Sequence, residues 1–423
     1  MEAVPAMKML LPSYTYQCIT CQRQFDSSGS ILTCPDCGQV KGTLDVLYYQ
    51  MEDASSRGKE WWLLPEQIGH WRYRKLLPVP HSFQVPNLPV GSTPLFKVSR
   101  LEKLLGCRNI WVKDDTRNPS GSLKDRASSV AVCHASNRKY ADIATASTGN
   151  AGVSLALWAR AAGMQAHVFL PERASESVST ILGIFGARIY RVKGSYDQAF
   201  DLCAQAVSKF HWYSRNTATN PVLSEGKKTV AWEIAENMSD HSPDAVIVAV
   251  GDGCIFGALW KGFHEAHQLG WIPQVPRLYG IQAAGAAPLA KAFAKGSDDI
   301  EPLTPSSIAD SIAVGHPRDA MKALRAARQS NGKIIAVPDE AILEAMRELA
   351  SEVPVFVEPA SAAPLAGLKA LLEQGDIQRS ERVVLVLTGS GSKNIASAKK
   401  AVITTPQDIG TSLDSLENII HQS

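Results

Sequence analysis

Short apolar runs alternate along this chain with longer stretches in which apolar positions recur every third or fourth residue. The runs at 143–146, 166–170, 187–192, 245–250, 278–282, 334–337 and 383–387 have the length of buried strands. Between them the spacing predicts helices over 152–162, 196–209, 229–237, 339–352 and 360–373. Gly163 and Gly270 stand where helix C-caps are expected. Strand–helix–strand alternation predicts an α/β protein built on parallel sheets. Upstream the pattern changes. Residues 44–90 are rich in Trp, Tyr, Arg and Pro, and Pro78, Pro80, Pro86 and Pro89 exclude long regular elements. That stretch reads as an arm packed over a body spanning 91–403, whose smaller part covers about 130–235. The polar tail, 404–423, reads as a peripheral helix or frayed end.

Composition narrows the class. At 423 residues, with 45% hydrophobic and 20% charged positions, the chain has the profile of a globular protein with a sizeable core. A formal charge of +2 gives no case for nucleic acid or an anionic membrane as partner. No apolar run approaches the roughly 18–20 residues that span a bilayer. The first residues lack the basic, apolar and cleavage-site succession of a secretion signal, so a cytoplasmic location is expected.

The eight cysteines divide unevenly. Cys18, Cys21, Cys34 and Cys37 form two C-x-x-C knuckles twelve residues apart, within an expected unit at 1–43. Four thiolates in that spacing suit one tetrahedral Zn²⁺ with no open position, hence a structural zinc ribbon. A redox dithiol is the alternative, although it would usually sit at a strand–helix junction.

Chemistry concentrates around Lys124. The segment Asn118-Pro119-Ser120-Gly121-Ser122-Leu123-Lys124-Asp125-Arg126 places a lysine at the start of a helix, just after a glycine turn. That end of a helix favours anions. A lysine there makes sense as an uncharged amine forming a Schiff base with an aldehyde; the plain alternative is a solvated first-turn lysine. Ser147-Thr148-Gly149-Asn150 joins a strand to a helix, and its hydroxyls and free amides form a carboxylate site or simply cap the helix. The turn Gly251-Asp252-Gly253-Cys254-Ile255 opens another helix and can cradle a phosphate through backbone N–H groups. Asp252 is the anomaly: a carboxylate beside a phosphate must turn away, pair or protonate.

Taken with Glu225-Gly226-Lys227-Lys228-Thr229, Glu358-Pro359-Ala360-Ser361 and Leu387-Thr388-Gly389-Ser390-Gly391, this succession resembles the threonine synthase family of fold-type-II pyridoxal-phosphate enzymes. The resemblance implies a two-domain body of the tryptophan synthase β kind and a homodimer. It implies pyridoxal phosphate on Lys124, its phosphate at 251–255, its O3′ near Asn150 and its ring nitrogen on Thr388. Ser147, Thr148 and Asn150 would take the carboxylate of a small amino-acid substrate. The implied reaction turns O-phosphohomoserine and water into threonine and phosphate. Some members carry a similar zinc ribbon. The segment 225–229 has no independent chemical reading beyond capping and packing, and Glu358 reads as a structural hydrogen-bonding group.

The pattern also departs from that family. Ala151, Ala218 and Leu223 stand where a hydroxyl, a serine and an arginine are expected around the substrate phosphate, and Asp252 replaces an asparagine. Arg126, Arg215, Lys227 and Lys228 are the candidates to replace the lost cation. Without one, an unphosphorylated or cationic amino acid becomes the alternative substrate, handled by β-elimination of the serine/threonine ammonia-lyase type or by β- or γ-replacement.

Overall fold

In the computed structural model the described residues are 14–28, 31–51, 57–172, 174–216, 218–404 and 406–420. Most of the leading stretch weighed above as a secretion signal therefore lies outside them. Three sheets carry the fold. β1 (Tyr14–Cys18), β2 (Gln24–Asp26) and β3 (Leu44–Tyr48) pair antiparallel in the order β2-β1-β3. This small sheet thus runs past residue 43, the expected edge of the cysteine-bearing unit, because Tyr14 and Thr15 need Tyr48 and Leu47 as partners.

β4 (Leu95–Lys97) and β5 (Asn109–Asp114) follow the arm. Then β6 (Asp142–Ala146), β7 (Gln165–Pro171), β8 (Arg188–Val192) and β9 (Tyr213–Ser214) form a parallel sheet ordered β8-β7-β6-β9. The remaining strands, β10 (Ala245–Ala249), β11 (Arg277–Ala283), β12 (Lys333–Val337) and β13 (Arg382–Leu387), join the earlier pair in the order β12-β11-β10-β13-β5-β4. Only β4 runs antiparallel there. All seven expected strands are present, and the α/β class holds. One helix differs: expected over 229–237, it begins at Val222, because Glu225, Lys227 and Lys228 are polar yet buried and so break the apolar period. The arm lays Trp62, Trp71 and Tyr73 into the core, Tyr73 lying edge-on to Trp232. The tail forms the helix Leu413–Ile420.

The helix that starts with Lys124 is held by its third residue. Arg126 donates to Asp115 at 2.7 and 2.8 Å and to Glu233 at 2.7 and 2.8 Å, with no exposure of its own side chain. Lys113 donates to Glu233 at 2.6 Å, so two cations meet two carboxylates. Burial alone would raise the Glu233 pKa, but Arg126 and Lys113 hold it well below the usual carboxylate range. The set joins β5, the Lys124 helix and the helix Val222–Asn237.

A second support lies behind the glycine turn. Gly253 has φ +98°, and a Cβ there would stand 2.7 Å from the Asp319 carbonyl oxygen and 2.9 Å from Ala323 Cβ. The Asp319 N–H donates to the Asp252 carbonyl at 3.1 Å, so the helix Ala320–Gln329 is pressed against the turn.

Two outcomes follow for stability. Arg126→Met removes one member of a balanced buried set and should cost about 3–5 kcal/mol in urea unfolding; a loss below about 1 kcal/mol would show that the set does not lock these elements. Gly253→Ala forces a side chain into positive φ against backbone and should cost about 1–3 kcal/mol by the same measurement. Unchanged unfolding would mean the turn re-forms without the glycine.

Candidate active site

The C-terminal ends of β6, β10 and β13 converge on one cavity of about 220 Å³. In sheets of this kind the strand ends are where loops and helix starts meet, so ligands gather there. Lys124, Ser147, Thr148, Asn150, Gly251, Asp252, Gly253, Cys254, Ile255 and Thr388 all line it, from four separate stretches of sequence. Ala151 and Ala218 line it too, whereas Leu223 has no exposure and belongs to the apolar core.

Lys124 opens the helix Lys124–Asn137 and reaches into the cavity. Burial, helped by Arg215, holds its amine below the ordinary lysine pKa, while Cys254, Asp252 and Glu358 pull the other way. A lysine so placed is more easily neutral, as an attacking amine must be. Leu123, just before it, donates its N–H to the Thr388 carbonyl at 2.9 Å, which ties the lysine to the end of β13.

The loop after β6 is ordered from within. Ser147 Oγ accepts from the N–H groups of Gly149 (3.1 Å) and Gly152 (3.0 Å), so its hydroxyl caps the helix Asn150–Ala161. Thr148 bonds to Asp310, whose carboxyl burial pushes up. Asn150 donates through Nδ2 to both Glu358 oxygens at 2.9 Å, while its Oδ1 is buried with no hydrogen-bond partner. Gly389 leaves room for this pair: a Cβ there would lie 2.7 Å from Glu358 Oε1.

The Asp252 anomaly has a geometric answer. Its Oδ1 accepts from the Arg318 backbone N–H at 3.2 Å, and burial raises its pKa. Both effects reduce repulsion toward an anion in the turn. The helix Cys254–Gln268 begins at this turn with no side chain capping its first amides. Thr388, at the end of β13, shares a hydroxyl contact of 3.1 Å with Ser361, whose Oγ also accepts from the N–H groups of Thr388 and Gly389.

Several lining residues escaped the sequence. Glu358 was read as a structural hydrogen bonder; it does bond Asn150, but from the cavity wall. The segment 225–229 was set outside the site. Glu225 and Lys228 do pack there as an ion pair of 2.5 Å, but Lys227 lines the cavity. Of the four cations considered, Arg126 and Lys228 are spent on carboxylates, whereas Arg215 and Lys227 line the cavity. The readable signal was two adjacent lysines on a helix buried all round, too many for one glutamate. Asp310 and Ser311 gave no signal, since a single 3-10 turn, Asp310–Ile312, in an otherwise irregular segment brings them in.

The residues fit pyridoxal phosphate. An easily neutralised lysine, uncapped helix amides beyond a glycine turn and a hydroxyl at a strand end supply an aldehyde anchor, a phosphate seat and a ring-nitrogen partner. Away from the cavity, the sulfurs of Cys18, Cys21, Cys34 and Cys37 lie within 4.8 Å of one another, and none is in a disulfide. Cys21 and Cys34 are 3.7 Å apart, close to the separation of roughly 3.8 Å that tetrahedral Zn–S bonds of about 2.3 Å impose. Among the described residues no helix is long and apolar enough to cross a membrane.

A sequence profile of the pyridoxal-phosphate dependent enzyme family matches residues 87–389. The threonine synthase of Methanocaldococcus jannaschii is 40% identical over 387 residues, covering 91% of this chain and 94% of that protein. That of Mycobacterium tuberculosis is 37% identical over 330 residues, covering 78% and 89%. Among solved structures, maize serine racemase aligns with a TM-score of 0.62 at 20% identity, over 78% of this chain and 93% of its own. Diaminopropionate ammonia lyase from Escherichia coli aligns at 0.64 and 19%, over 74% and 87%. These two likenesses concern the fold alone. The profile and the long alignments place the chain among the pyridoxal-phosphate dependent enzymes of fold type II, in the threonine-synthase-like family.

Proposed function

We propose that the enzyme converts O-phosphohomoserine and water into threonine and phosphate. One observation supports this most: the family's motif residues line a single cavity, in a chain that matches threonine synthases over up to 91% of its length. The body would work as two α/β units, one around each parallel sheet, with the cavity between them.

Pyridoxal phosphate, when bound, supplies a sink for the negative charge that develops at the substrate's α-carbon. The chain's own residues do the rest. The Lys124 amine would hold the cofactor by its aldehyde carbon. The same side chain, when free, would carry the proton at the substrate's α-carbon, a task its lowered pKa suits. Amides opening the helix Cys254–Gln268 seat the cofactor phosphate. Thr388, oriented by Ser361, offers a neutral hydroxyl to the ring nitrogen. The helix start at Ser147–Asn150 takes the substrate carboxylate, with Glu358 fixing the Asn150 amide.

A second reading, β-elimination or replacement on an unphosphorylated amino acid, draws on Leu223, which is buried in the core where a phosphate-binding cation was expected. Offering the holoenzyme O-phosphohomoserine, serine, threonine and O-acylated homoserines separates the two. Threonine and phosphate release is expected. Keto acid from serine or threonine, with O-phosphohomoserine untouched, would establish the second reading instead. Borohydride reduction and peptide mapping should find the cofactor on Lys124, and a tag on another lysine would reassign the site.

The cysteine cluster is proposed as a structural Zn²⁺ site. Metal analysis should find roughly one zinc per chain, and Cys34→Ser should lower it several-fold because three thiolates bind far less tightly. Equal zinc content in the variant would remove the site.

A further inference from the structure

Five lysines are buried among the described residues: Lys113, Lys227, Lys228, Lys261 and Lys322. Four of them sit on carboxylates, Glu233, Glu225, Glu265 and Asp45 among them, at 2.5–3.1 Å. Lys227 does not. It is 1% exposed, lines the cavity, and its Nζ has no hydrogen-bond partner. An ammonium taken out of water without a counter-ion is costly, and proteins seldom retain one where nothing charged arrives.

What faces it tells the sign and size of the visitor. The groups acting on Lys227 are Cys254, Lys124, Arg215 and Asp319. Asp319 is buried and attracts it, but its own oxygens also lack hydrogen-bond partners, so the two do not pair. Arg215 is 1% exposed, lines the same cavity and brings a second positive charge. Cys254 opens the helix at the glycine turn, so this cationic corner adjoins uncapped helix amides. Two cations and a helix start match a dianion; a carboxylate would neutralise only half of it.

We propose that Lys227, with Arg215, is a cationic subsite for a phosphate monoester in this cavity, acting beside the amides of the glycine turn. Two phosphates could meet it, the cofactor's and a phosphorylated substrate's. The substrate arm deepens the function proposed above and rests on it; the cofactor arm does not. Burial, with Lys124 and Arg215, brings the Lys227 amine down to about 7, while Cys254 and Asp319 pull upward. An amine so poised is cheaply neutral in the free pocket and takes a full charge when a dianion arrives.

The test uses Lys227→Met, Lys227→Gln and Lys227→Arg in the full chain, each checked by thermal melting. One arm compares affinity of the apoenzyme for pyridoxal phosphate with that for pyridoxal, which lacks the phosphate. The other measures binding of inorganic phosphate to the holoenzyme by calorimetry, and turnover of O-phosphohomoserine against homoserine. Loss of one charge-assisted hydrogen bond should lower the phosphate preference roughly 10- to 100-fold in the Met and Gln variants. Arginine should restore it to within about threefold, since it keeps the charge. A drop in the pyridoxal phosphate to pyridoxal ratio assigns the subsite to the cofactor. A drop in phosphate binding by the holoenzyme assigns it to the substrate. A folded Met or Gln variant that keeps both preferences within twofold overturns the proposal. If wild-type enzyme leaves O-phosphohomoserine unturned, the reaction above fails, while the pyridoxal arm still decides the role of Lys227. Should the Met variant not fold, the Gln variant, which keeps the chain length, decides alone.

Discussion

A buried guanidinium fixes where the chemistry can happen. Arg126 is clamped between Asp115, just past β5, and Glu233 on the helix Val222–Asn237. Its backbone lies two residues from Lys124, so the clamp sets the origin of the helix that presents the lysine. Each ion pays a large desolvation cost, and the set is tolerable only because charges balance and the geometry is fork-on-carboxylate. That rigidity explains how an amine can stand in a cavity without a partner carboxylate. The neighbouring acids are already occupied: Asp125 accepts from Ser120 N–H and Trp158 Nε1, and Glu358 accepts from Asn150.

The cavity divides its labour by electrostatics. Its wall nearest the glycine turn gathers Lys227, Arg215 and the uncapped start of a helix, all favouring anions. Three of the acids lining the cavity are held quiet. Asp252 bonds to the backbone of Arg318, and burial raises its pKa together with those of Asp310 and Glu358. The loop at 310–314, which carries one of these acids, packs on Gly251, where a Cβ would lie 3.1 Å from Ile312 Cα. The glycine turn, the loop 147–150 and this segment are therefore direct neighbours around the cavity.

Much of this was legible in the sequence, and the reasons are physical. Buried parallel strands must be apolar on both faces, so β6, β7, β10, β11 and β13 announce themselves as runs, whereas the two-residue β9 gives no such signal. Helix-start loops such as 147–150 and 251–255 stand out by their small residues, which leave the backbone amides accessible. What stayed hidden were residues whose role depends on a partner far along the chain. Lys227 differs from Lys228 only in which way the helix turns it, and Glu358 reaches Asn150 across 208 positions. Leu223 showed that a cation was missing and left four candidates to replace it, but not that only Arg215 and Lys227 among them line the cavity. The edge of the cysteine-bearing sheet was misplaced because β3 reads as part of the arm until its pairing with β1 is seen.

The small cysteine-bearing sheet is welded, not appended. Tyr48 donates to Glu225 at 2.8 Å, Lys322 reaches the Leu44 carbonyl at 2.7 Å, and Asp45 bridges Lys322 and Arg325. Trimming the chain to residues 87–389, the stretch that the family profile matches, would strip a roof from Glu225, Lys228 and Lys261, and leave Lys322 without its acid. Water would then flood a charged seam that lies directly beneath the helix braced against Gly253. The amino-terminal sheet is thus part of the body's foundation, and a shortened enzyme would keep the strands of the parallel sheets while losing that footing.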